Sequence, residues 1–173
     1  MRELATGARI REFMRQLGAA ASVDTRIYLT GGATAVLFGW RDSTIDVDLK
    51  IIPDRDEMFR ALPALKESLH LNVELASPDL FIPALPGWES RSVFICREGR
   101  VDWYHYDPYS QALAKIERSH ERDRADVQAL LRQGLVQPQQ LRELFREIMP
   151  ALIRYPSIDP EAFTRKVAEA LPT

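Results

Sequence analysis

The stretch Leu29-Thr30-Gly31-Gly32-Ala33-Thr34-Ala35-Val36-Leu37-Phe38-Gly39-Trp40-Arg41-Asp42-Ser43-Thr44-Ile45-Asp46-Val47-Asp48-Leu49 decides how this chain reads. It begins at the end of a β-rich run, Arg26–Thr30, which the double glycine interrupts. Small and apolar residues from Ala33 to Phe38 predict a short helix, closed by Gly39. From Thr44 to Ile52 the pattern alternates. Ile45, Val47, Leu49 and Ile51 are apolar, while Asp46, Asp48 and Lys50 are polar, which predicts a half-buried strand. Successive strand side chains point to opposite faces, so Asp46 and Asp48 share one face and the apolar set turns to the core. Two neighbouring carboxylates repel unless a cation neutralises them. Mg²⁺ takes oxygen ligands, commonly one or two carboxylates together with substrate phosphates. The glycines let a ligand approach the backbone, and the following helix start offers N–H groups to phosphate. Singly, a double glycine reads as a turn and Asp-x-Asp as a solvated strand face. Their order is more specific. An EF-hand loop does not fit, because Lys50 and Ile51 stand where it needs an oxygen ligand and a glycine.

Outward from this stretch, Ile10, Phe13, Met14 and Leu17 recur at helical spacing and predict an amphipathic helix over about Glu3–Leu17, ending at Gly18. Pro53-Asp54 breaks the strand. Asp54 and Glu57 have capping-box spacing and predict a helix to about Leu69. A strand over Leu71–Ala76 follows, then a Pro- and aromatic-rich loop over Ser77–Ser90. A hairpin comes next, over Ser92–Cys96 and Arg100–Tyr106 around Glu98-Gly99. The remainder predicts helices only: one long helix over about Tyr109–Arg132, another over Pro138–Pro150, and a third from Asp159-Pro160 to about Leu171. The fold class is therefore α+β, a mixed sheet with flanking helices followed by a helical C-terminal half. Residues 1–108 read as the core, with 109–173 packed on it as one unit.

The 173 residues carry 23 Lys and Arg against 25 Asp and Glu, a net charge of −2 that advertises no strongly basic nucleic-acid surface. Any phosphate on a ligand would need local cations or metal ions. Hydrophobic content of 46% is ordinary for a globular domain. No apolar run reaches the ~18 residues of a membrane span. The single cysteine, Cys96, rules out an internal disulfide and suits a reducing, cytoplasmic setting. Neither Cys96 nor His70, His105 and His120 form a cluster with zinc spacing. Trp88, in its Pro/Gly loop, is the best aromatic candidate for stacking on a base.

In this order, Gly31-Gly32, Arg41-x-Ser43-Thr44 and Asp46-Val47-Asp48 resemble the nucleotidyltransferase superfamily, the polymerase-β-like fold. A second piece, Lys115 followed by Arg122-Asp123-Arg124-Ala125-Asp126, is similar to the small bacterial branch that includes abortive-infection toxin nucleotidyltransferases. The two pieces lie within about Ile27–Leu131. The resemblance implies transfer of a nucleoside monophosphate from a nucleoside triphosphate to an acceptor hydroxyl on RNA, a protein or a small molecule. Asp46 and Asp48 would bind Mg²⁺, Gly31 and Gly32 would hold phosphates, and Ser43 or Thr44 would assist. Glu74 is the first choice for a third carboxylate that helps deprotonate the acceptor, and Asp102 the second. Lys115 would neutralise triphosphate charge from the helical half, and Asp126, with Asp123 behind it, would position that lysine or a metal. A toxin of this branch would have an antitoxin protein as partner. A glutamate in the third position is a departure from the usual aspartate, and it keeps open the alternative of a non-catalytic binding module or partner subunit.

Overall fold

The computed structural model describes residues 2–173. They cluster into two compact units. One holds the residues up to Ser77 together with Ser92–His105, and the other holds Pro78–Arg91 and Tyr106–Thr173.

The first unit runs β1 (Ala5–Thr6), α1 (Gly7–Ala19), β2 (Thr25–Thr30), α2 (Gly32–Phe38), β3 (Ser43–Thr44), β4 (Asp46–Ile52), α3 (Asp56–Ser68), β5 (Asn72–Leu75), β6 (Val93–Glu98) and β7 (Val101–His105). Its mixed five-stranded sheet has the order β5-β4-β2-β7-β6. β4 runs antiparallel to β2 and parallel to β5, and β7 runs parallel to β2 and antiparallel to β6. One face of the sheet is apolar: Ile27, Leu29, Val47, Leu49, Val73 and Trp103 are all buried. The amphipathic stripe of α1 covers it with Ile10, Phe13, Met14 and Leu17, and α2 and α3 add Ala33, Val36, Met58 and Leu62. Phe13 meets Trp103 edge-on, with ring centroids 6.1 Å apart. Burying such side chains stabilises the unit by about 1.5–3 kcal/mol each, before conformational entropy is counted.

Several local expectations change. The first helix starts at Gly7, because Ala5–Thr6 pair as a strand with Ser43–Thr44 and the Thr6 side chain caps Arg9 N–H. Gly18 lies inside that helix. A Cβ there would stand 2.3 Å from the carbonyl oxygen of Glu98, so the glycine serves helix-to-hairpin packing, not helix termination. The strand expected from Thr44 breaks at Ile45, which is exposed, because Ser43–Thr44 are drawn to β1. The Asp54/Glu57 capping box does not form. Glu57 instead accepts from Ser22 N–H at 3.0 Å and from Ser22 Oγ at 2.7 Å.

His105, at the end of β7, is buried against α2. Its Nδ1 lies 3.0 Å from Thr34 Oγ1, and its ring stacks on Phe38 at 4.3 Å. Burial, and to a smaller extent the charge of Arg11, pushes its pKa down to about 4. An unfolded histidine titrates near 6.5. The unfolded chain therefore binds this proton more readily. The stability His105 confers is complete above about pH 6.5 and is lost as pH falls toward 4, by up to about 3 kcal/mol. Urea unfolding at pH 7 and pH 4.5 checks this: His105→Gln, which cannot take the charge, should lose less stability between the two than the parent chain.

The second unit contains a 3₁₀ turn at Pro78–Leu80, α4 (Trp88–Arg91), α5 (Pro108–Arg118), α6 (Glu121–Arg132), α7 (Pro138–Ile148), a 3₁₀ segment at Met149–Arg154 and α8 (Pro160–Ala170). The helix expected over Tyr109–Arg132 is two helices. Ser119 adopts a left-handed conformation with φ 58, and Asp123 accepts from His120 N–H at 3.1 Å, starting a new helix. Asp107 is fully buried and caps α5. It accepts from Tyr109 N–H and Ser110 Oγ and ion-pairs with Arg91 at 2.8 Å, tying α4 to α5. Trp88 stacks flat on Tyr106 at 4.4 Å, so its ring already has an aromatic partner.

Candidate active site

β4 is the strand on which the site is built. Parallel pairing sets Asp46 opposite Asn72 and Asp48 opposite Glu74, and antiparallel pairing sets Thr30 opposite Asp48. Directly opposed residues share a sheet face. One face therefore carries Asp46, Asp48, Thr30, Asn72 and Glu74, while Val47, Leu49 and Val73 fill the core behind them. Asp46 and Asp48 are half-buried and Glu74 is exposed. The three carboxylates share this face because strand period and parallel register agree. The alternation of both segments showed each strand's face, but only the pairing shows that the two faces coincide.

β2 runs directly into the double glycine. Gly31 has φ +64, a backbone region L side chains avoid, and a Cβ built there would stand 3.1 Å from Asp48 Oδ2. At Gly32 a Cβ would stand 2.0 Å from Thr44 Oγ1 and 2.6 Å from Thr44 Cβ. The bare backbone at both positions is what lets β2 turn into α2 beside β3 and β4. Gly32→Ala is expected to cost about 1–3 kcal/mol by overpacking against Thr44, read as a lowered denaturation midpoint. Thr44 Oγ1 donates to the Asp46 carbonyl oxygen at 3.2 Å, and Ser43 pairs with Thr6 in the small sheet. Thr44 thus braces the start of β4.

Asn72 joins the acidic group. Its Nδ2 donates to Asp46 Oδ1 and, at 3.1 Å, to Glu74 Oε1. Asn72 is not among the residues that the sequence motifs mark. Strand period 2 in Asn72-Val73-Glu74 was the available signal, since it places Asn72 on the same face as Glu74. Asp102, the other candidate third carboxylate, lies opposite Arg26, four residues along β2 from Thr30 and so about 13 Å from the acidic row along the strand. It is engaged by Arg97 Nη1 at 3.0 and 3.1 Å. Cys96 is half-buried, and burial raises its pKa, so it stands as a thiol and not as an activated nucleophile.

Lys115, Asp123 and Asp126 belong to the helical unit, where they form a buried ion-pair group. Lys115 Nζ donates to Asp126 Oδ2 at 2.7 Å and lies 3.7 Å from Asp123 Oδ1. Arg118 holds Asp123 through two bonds of 2.6 and 2.8 Å. Although burial opposes it, the charges and hydrogen bonds of Arg118, Lys115 and His120 N–H keep the Asp123 pKa below the usual range. The charge of Lys115 is met by carboxylates of its own unit.

Residues 8–157 match the family described as "Nucleotidyltransferase of unknown function (DUF6036)". The chain belongs to this nucleotidyltransferase family. The matched span holds the double glycine, the acidic strand pair and the Lys115–Asp126 segment. No curated protein and no solved structure matches the chain. Among the described residues, no helix is long and apolar enough to cross a membrane.

The donor set can be tested against the Mg²⁺ that such transferases imply. Among the described residues, no three His, Cys, Asp or Glu side chains form a group able to hold a metal by themselves. Mg²⁺ does not ask for one. It is a hard cation that keeps several waters and accepts one or two carboxylates, with substrate phosphates completing its shell. Asp46 and Asp48 supply such a pair, and the bare Gly31 backbone lies beside Asp48. The residues fit the ion.

Proposed function

We propose that this nucleotidyltransferase uses Mg²⁺ to move a nucleoside monophosphate from a nucleoside triphosphate to an acceptor hydroxyl on RNA, a protein or a small molecule. The observation that carries the reading is the grouping of Asp46, Asp48 and Glu74 on one face of β4 and β5, with Gly31 against Asp48. Asp46 and Asp48 would hold the ion, which supplies Lewis-acid stabilisation of charge on the phosphoryl oxygens. Backbone N–H groups at Gly31 and Gly32 would bind phosphate oxygens. In the transfer, the acceptor oxygen bonds to the α-phosphorus and the bond from it to the α–β bridging oxygen breaks. Pyrophosphate departs with that electron pair. The hydroxyl proton passes to the Glu74 carboxylate.

The likeness to abortive-infection toxins supports a second part of the reading: the chain acts in the cytoplasm as the toxin of a pair, with an antitoxin protein as partner. The chemistry is tested by incubating the protein with Mg²⁺ and labelled nucleoside triphosphates and following pyrophosphate release and label transfer. Release that disappears in the Asp46→Ala, Asp48→Ala double variant supports the site, and release that survives it refutes the site. Metal-dependent nucleotide binding without release identifies the non-catalytic module instead.

A further inference from the structure

We infer that Asn72 is a positioning residue for the acidic pair, its side-chain amide fixing Asp46 and Glu74 in the orientation from which Asp46 binds a divalent cation. The inference rests on the transferase reading of Asp46 and Asp48, and extends it to a residue that carries no charge and does not titrate. The geometry is a fork. One amide nitrogen carries two hydrogens, and Asn72 Nδ2 reaches a carboxylate oxygen on either side of it, one on β4 and one on its own strand. Both neighbours are acceptors when ionised, so the NH₂ end, not the carbonyl end, must face them. The amide leaves the second oxygen of each carboxylate unengaged by itself. It also places two partial positive charges between Asp46 and Glu74, which would otherwise repel across the β4–β5 pair.

The backbone makes this arrangement firm. Asn72 opposes Asp46 directly in the parallel register, Val73 behind it is buried, and Leu71 before it is fully buried. The strand cannot slide by one residue without turning Val73 out and Asn72 in. A ligating carboxylate held by an outer hydrogen bond typically loses about 10–100-fold in metal affinity when that bond is removed.

The experiment uses the full chain and Mn²⁺ as the probe, with affinity read by electron paramagnetic resonance and folding by thermal melting. Asn72→Ala is expected to weaken Mn²⁺ binding by about 10–100-fold while the melting transition stays cooperative. Asn72→Gln, which keeps an NH₂ group, should recover part of the loss. In the parent chain, the side-chain amide resonance that vanishes in Asn72→Ala should move when Mg²⁺ is added. If Asn72→Ala folds and binds Mn²⁺ within twofold of the parent, Asn72 is not a positioning residue, and the metal role of Asp46 and Asp48 stands. If the parent chain binds no Mn²⁺ even with a triphosphate present, the metal reading itself fails, and this inference fails with it.

Discussion

Asp48→Asn is expected to lower nucleotidyl transfer by at least about 10²–10³-fold, the scale on which one preorganised electrostatic partner counts in a transition state. Asp46→Asn should do the same. The replacement is nearly isosteric, and it removes one of two like charges that β4 holds two residues apart. The melting temperature should move little by comparison, so that activity falls far more than stability. That contrast separates a functional carboxylate from a structural one, because a structural carboxylate loses stability when its charge is removed. Pyrophosphate release at saturating triphosphate, measured beside thermal melts of the same samples, checks both halves. A fall in activity accompanied by a comparable fall in melting temperature would assign the aspartates to the fold.

Asp126→Ala should have the largest effect on stability, about 3–5 kcal/mol. It strands the Lys115 ammonium in a place where only 8% of the residue is exposed. For a chain of this length that corresponds to a fall of roughly 10 °C in melting temperature. Asp123 compensates only in part, since it lies 3.7 Å from Lys115 Nζ and already serves Arg118 and the start of α6. The paired replacement Lys115→Met with Asp126→Leu should recover most of the loss, because an apolar pair of similar volume carries no desolvation cost. Transfer assays on that stable double variant then read Lys115 without interference from folding. Retained activity makes the ion pair a brace of the α5–α6 junction. Lost activity gives Lys115 the triphosphate role implied by the toxin branch.

The parts of the fold legible in the sequence were those set by short-range physics. Period-2 alternation showed β4 and the face its aspartates share. Helical periodicity showed α1. Pro160 after Asp159 marked the start of α8, where Asp159 accepts from Glu161 and Ala162 N–H. Local pattern and structure part where a distant segment competes for the same residues. Ser22 takes Glu57 from its expected cap, β1 takes Thr44 from β4, and Glu98 turns Gly18 from a terminator into a packing residue. The break at Ser119 is different. Its signal was local, the His120-to-Asp123 cap, but it lay inside a run whose charges also suit one continuous helix.

The sequence by itself determined the double glycine ahead of an acidic strand pair, because both depend only on backbone sterics and strand period. The tertiary structure decided what stands next to that pair. Parallel register between β4 and β5, set by which apolar residues must face the core, brings Glu74 opposite Asp48 and Asn72 opposite Asp46. The pairings of β7 with β2 and β6 leave Asp102 opposite Arg26 and Arg97. The tertiary structure also closed Lys115 onto Asp126, a buried pairing that spacing along the chain suggests but only packing can complete.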